Sequence, residues 1–121
     1  MPRRISVEQG RAALEAWRAA PDEVSRAVVL TAVRFTLEDF AERFPGRAVE
    51  VRVPPAGAVQ ILEGATHRRG TPPAVVEMDM PTWLSIVTGA CSWDEAVARG
   101  RVQASGERAD LVKCFVEAKY P

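Results

Sequence analysis

The chain has 121 residues, of which 47% are hydrophobic and 26% charged, with sixteen basic side chains balanced by sixteen acidic ones. That length and composition fit one globular domain with one core and exclude a chain too polar to fold. The balanced charge removes the broad positive field that draws proteins onto nucleic acid or anionic membranes, so no nucleic-acid partner is expected.

Met1-Pro2-Arg3-Arg4 is basic, but the segment after it lacks the apolar run of a signal peptide. No stretch approaches the ~18 uncharged apolar residues that a spanning helix needs. A cytoplasmic domain without stable membrane insertion is expected. Cys91 and Cys114 are far apart in sequence and read as reduced thiols rather than a disulfide.

Residues 1–121 read as one domain, with two helices in 1–44 followed by a sheet and further helices in 47–121. Ser6-Val7-Glu8-Gln9 has the form of a capping box and opens a helix through Ala19, with Leu14 and Trp17 on one face. Pro21-Asp22 breaks it and offers a new start. Val24 to Phe44 then reads as a long helix in which Leu30, Val33, Leu37, Phe40, Ala41 and Phe44 form a buried stripe, ended by Pro45-Gly46.

The period then changes to two. Val49, Val51 and Val53 alternate with Glu50 and Arg52 as a half-buried strand, and a turn at Pro54-Pro55-Ala56-Gly57 leads to a second strand over Ala58 to Leu62, paired as a hairpin. After a polar loop, Ala74 to Asp79 is a third strand. Pro81 suits a helix start, Trp83, Leu84 and Val87 form its apolar face, and Gly89 stops it. Ser92-Trp93-Asp94-Glu95 is a second capping box, opening a short helix that Gly100 closes. A strand over Arg101 to Ser105 and a last helix carrying Leu111, Val112 and Phe115 complete the order. Grouped helices and early antiparallel strands predict an α+β fold, a small, mostly antiparallel (mixed) sheet with helices on one face, rather than a doubly wound nucleotide-binding fold.

Chemistry-bearing patterns are sparse. His67 is the only histidine, there is no glycine-rich phosphate loop, and no serine sits in a nucleophile elbow. No catalytic residue, metal or cofactor is therefore expected. Thr66-His67-Arg68-Arg69-Gly70-Thr71-Pro72-Pro73 concentrates three potential cations. It reads by default as a solvated loop, and in the alternative as a site for an anionic headgroup at His67, Arg68 and Arg69. Trp17, Trp83 and Trp93 either fill the core or line a cavity.

Asp79-Met80-Pro81-Thr82-Trp83-Leu84-Ser85-Ile86-Val87-Thr88-Gly89, then Ser92-Trp93-Asp94-Glu95-Ala96-Val97 and Gly100-Arg101-Val102-Gln103-Ala104-Ser105-Gly106, resemble the sterol carrier protein fold family. Val49-Glu50-Val51-Arg52-Val53-Pro54-Pro55, Gly57-Ala58-Val59-Gln60 and Arg69-Gly70-Thr71-Pro72-Pro73 resemble its bacterial, mainly actinobacterial, stand-alone branch. Ala90-Cys91 depart from the basic residue and leucine usual there. The resemblance implies a sheet of four to five strands, a fifth lying near Glu63 to Thr66 or at the end, and an apolar tunnel between helices and sheet. It further implies a non-enzymatic carrier of a lipid or other apolar small molecule. A second implied role is an accessory protein-interaction domain of the type associated with thiol-dependent isomerases, with a protein partner and no lipid.

The expected cavity lies between the long helix and the sheet. A helix of about twenty residues spans ~30 Å, against ~17–20 Å for short strands, so it overhangs them. Leu30, Val33 and Leu37 are expected to face Val59 and Ile61 across the gap, with Trp83, Leu84 and Val87 closing one end.

Overall fold

The computed structural model describes residues 4–63, 74–105, 114–115 and 120. The elements are α1 (Val7–Ala19), α2 (Arg26–Arg43), β1 (Val49–Val53), β2 (Gly57–Ile61), β3 (Ala74–Met78), α3 (Met80–Val87), α4 (Trp93–Ala98) and β4 (Val102–Ser105). The fold is α+β, as the patterning predicts. Of the positions expected for a fifth strand, Glu63 is in no strand, while 64–66 and most of the C-terminal segment, with Leu111 and Val112, lie outside the described residues, which contain four strands.

Helix starts follow side-chain caps. The Ser6 hydroxyl accepts from the Gln9 amide at 3.1 Å to open α1. Residues 21–23 form a turn, and Ser25, accepting from the Val28 amide at 3.2 Å, opens α2 two residues later than Val24. Ser25 sits in extended backbone with its oxygen in reach of an orphan amide, which Pro21-Asp22 does not supply. At α4 both halves of the box form, with the Glu95 amide donating to Ser92 at 3.0 Å and the Ser92 amide donating back to the Glu95 carboxylate at 3.4 Å.

Leu14 and Trp17 are buried together with Ala13 and Gly10 on one side of α1. Along α2 burial is much wider than the apolar stripe. Ala32, Val33, Phe35, Thr36, Leu37, Asp39 and Phe40 are all buried, because α1, β2 and α3 each pack against this helix. The α1 crossing is close: a Cβ built on Gly10 would lie 2.1 Å from Phe35 Cγ.

The strand order is β2-β1-β3-β4. β1 and β2 form the expected antiparallel hairpin, with Val51 opposite Val59. β3 instead pairs parallel to β1, Val76 opposite Val51, which departs from the antiparallel reading of the early strands. The register explains it. β2 ends at Ile61 beside Val49, and β3 begins at Ala74 beside that same residue, so β3 starts at the end of the sheet where β2 finishes and runs alongside β1 in its direction. β4 closes the other edge antiparallel to β3. Val49, Val51, Val53, Ile61, Val76 and Met78 point into the core, while Arg52, Ala58, Gln60 and Gln103 occupy the open face.

α3 opens on Asp79, whose carboxylate accepts from the Thr82 amide at 2.9 Å, with Pro81 in the first turn. Trp83, Leu84 and Val87 are fully buried. Trp83 packs edge-on to Phe40 at 5.0 Å between centroids and to Phe115 at 5.8 Å, and Trp93 stacks on Phe115 at 5.5 Å. Phe115 thus joins α2, α3 and α4. Tyr120 ties the helices from outside: its hydroxyl donates to Asp39, and Arg18 Nη2 donates both to its carbonyl and, at 3.2 Å, to the Thr88 carbonyl that ends α3.

Candidate functional site

α2 is held against the edge strand β2 at two points. In its middle, Arg34 Nε donates to the Ala56 carbonyl in the β1–β2 turn at 3.2 Å. At its end, the Phe44 carbonyl accepts from the Leu62 amide at 2.8 Å, and Leu62 in turn accepts from Ala48 at 2.9 Å. The second anchor is sterically tight. Gly46, at φ +149°, leaves no room for a side chain, since an added Cβ would lie 2.0 Å from the Leu62 carbonyl oxygen.

Between the anchors the side chains are too small to fill the gap. Leu37 and Ala41 on α2 face Val59 on β2, and together with Gly57 and Ala58 of the same edge strand they line a cavity of about 420 Å³. That volume lies within the range of small-molecule sites, ~300–1,000 Å³. Its base is apolar. Its rim is charged, with Arg34, Glu38 and Glu42 at four-residue spacing along α2 and Arg4 from the segment before α1. Glu38 holds that segment in place, its Oε2 accepting from the Arg4 amide at 3.1 Å and the Ile5 amide at 3.4 Å.

Of the residues expected to form the site, the cavity brings together Leu37 and Val59. Val33, Ile61, Trp83, Leu84 and Val87 are fully buried within the closed core cluster, and Leu30 packs partly buried against it. His67, Arg68 and Arg69 lie outside the described residues. Arg4, Arg34, Glu38, Ala41, Glu42 and Ala56 border the cavity without having been singled out. The charged column Arg34-Glu38-Glu42 is visible in the sequence, but such a column ordinarily marks a solvated helix face.

Other sites carry less. Cys114 is buried, and Cys91 is half-buried with its thiol directed at the Ser92 carbonyl at 3.3 Å. Among the described residues no cluster of three or more His, Cys, Asp or Glu side chains is placed to hold a metal ion, and no helix is long and apolar enough to cross a membrane.

The model of the family described as bacterial sterol carrier protein (SCP) orthologs matches residues 25–116. The chain belongs to this family. No curated protein matches it. The family match begins at Ser25, the cap of α2, and takes in both anchors and the whole β2 side of the cavity. α1 and Arg4 lie before it, and Tyr120 after it.

Proposed function

We propose that this protein is a non-enzymatic carrier for a lipid or other apolar small molecule, and that the ligand occupies the cavity between α2 and β2. One observation carries the reading: in a member of the bacterial SCP ortholog family, two anchors hold α2 off an edge strand whose facing residues are small, leaving an apolar-based cavity of about 420 Å³. Leu37, Ala41 and Val59 would make the apolar contacts. The buried set of Val33, Ile61, Trp83, Leu84 and Val87 would form the rigid wall behind them. Affinity in such a site comes chiefly from apolar surface removed from water, at ~25 cal/mol per Å².

The test is native mass spectrometry of freshly purified protein, followed by calorimetric titration of the delipidated chain with dodecanol as a neutral apolar probe. A bound mass of a few hundred daltons, or saturable dodecanol binding, is expected. Ala41→Trp, which fills the cavity from the half-buried side of α2, should abolish both. Ala41→Trp protein that stays folded and binds as wild type does would place the ligand elsewhere. A clean apo mass with no dodecanol binding would favour the accessory interaction role.

A further inference from the structure

The cavity's charges are not equivalent. Both carboxylates at the rim are already engaged: Glu38 accepts two backbone amides, and Glu42 has a partner of its own. The two guanidinium groups are different. Among the described residues, the one interaction of the Arg34 side chain is the Nε bond to the Ala56 carbonyl, which fixes the stem of the side chain and leaves its terminal Nη donors without a partner there. The Arg4 guanidinium has no carboxylate partner among the described residues, and only its backbone amide is bonded. Two guanidinium groups with no carboxylate partner among the described residues therefore border a cavity whose base is Leu37, Ala41 and Val59.

We infer that Arg34, seconded by Arg4, is the specificity-determining residue of the site, and that it selects an amphiphile with an oxyanion head over a neutral, sterol-like molecule. The inference rests on the carrier reading above. A guanidinium anchored through Nε presents its remaining N–H groups as a planar fork suited to two oxygens of one carboxylate or phosphate, and anchoring reduces the ordering lost on binding. The Ala56 carbonyl that anchors Arg34 is at the mouth of the β1–β2 turn, so the head sits at that end. The tail runs along α2 toward the second anchor at Phe44 and Leu62.

The experiment titrates the delipidated full-length chain with dodecanoate, dodecyl phosphate and dodecanol, which share one tail. Wild type should bind one or both anions at least tenfold more tightly than the alcohol, and the better of the two identifies the head. Arg34→Gln should erase that preference: loss of the Ala56 anchor weakens every probe to some degree, but the anion about tenfold more than dodecanol. Arg34→Lys, which keeps the charge and loses the fork, should fall between, and Arg4→Gln should give a smaller loss of the same sign. Urea denaturation and far-UV circular dichroism of Arg34→Gln check that the fold survives loss of the Ala56 anchor. Equal binding of all three probes by wild type, or an equal loss of all three in Arg34→Gln, overturns the anion selection while the cavity reading stands. Binding of none of the probes overturns both.

Discussion

Thr36 and Thr82 are both buried, and their hydroxyls meet opposite fates. Thr36 Oγ1 donates back to the Ala32 and Val33 carbonyls and accepts from Trp83 Nε1 at 2.7 Å, so the one polar atom of a fully buried indole is satisfied across the α2–α3 contact. Thr82 Oγ1 is buried with no hydrogen-bond partner among the described residues. An unsatisfied buried hydroxyl costs roughly 1–3 kcal/mol, whereas exchanging it for a methyl group of the same shape removes that penalty. Thr82→Val is therefore expected to raise stability by about 1 kcal/mol in urea denaturation. Thr36→Val should lower it by ~1–3 kcal/mol, because it strands the Trp83 N–H. Were both variants to move the midpoint in the same direction, the hydrogen-bond account of this layer would fail.

At the scale of elements, the α1–α2 crossing turns on a single glycine. Within an exposed helix, glycine to alanine stabilises by ~1 kcal/mol through propensity alone. At Gly10 the new Cβ would fall 2.1 Å from Phe35 Cγ, and Phe35 is itself buried, so either ring or helix must move. Overpacking of this kind costs ~1–3 kcal/mol and exceeds the propensity gain. Gly10→Ala should thus destabilise, and pairing it with Phe35→Leu should recover part of the loss. A stabilised Gly10→Ala protein would show that the two helices stand further apart.

For the molecule as a whole, the closed core and the open cavity respond differently to added volume. Leu84 is fully buried in the core cluster, and Leu84→Trp is expected to lower stability by several kcal/mol or prevent folding, because nothing around it can yield. Ala41→Trp adds a comparable bulk where the cavity can receive it, and should remove dodecanol binding with a stability change of about 1 kcal/mol or less. Leu37→Ala, at the cavity's base but 2% exposed, should fall within the ~2–5 kcal/mol of a buried leucine truncation. Denaturation curves alongside probe titrations of the three variants check the contrast. Equal stability losses for Leu84→Trp and Ala41→Trp would mean that the cavity is closed.

Local chemistry determined much of this at the level of sequence. Caps at Ser6 and Ser92, the alternation over Val49 to Val53 and the stops at Gly89 and Gly100 lie in the few residues they act on, and each element falls where its own signals put it. The apolar residues of α3 also announce their burial, since Trp83, Leu84 and Val87 recur at helical spacing. Tertiary structure alone decided the rest. Whether β3 joins β1 in parallel depends on which end of the sheet the chain leaves, and that is a property of the register between strands. α2 is buried on several sides because three elements converge on it, so its apolar stripe understates its burial and conceals Phe35, Thr36 and Asp39. The cavity is set by two hydrogen-bonded anchors, Arg34 to Ala56 and Leu62 to Phe44, between residues that sequence separates widely. A void is the absence of side-chain volume between elements brought together in space. Leu37 and Val59 could be named as apolar residues facing a gap, but the size of the gap and the arginines at its rim follow only from where the anchors hold the helix.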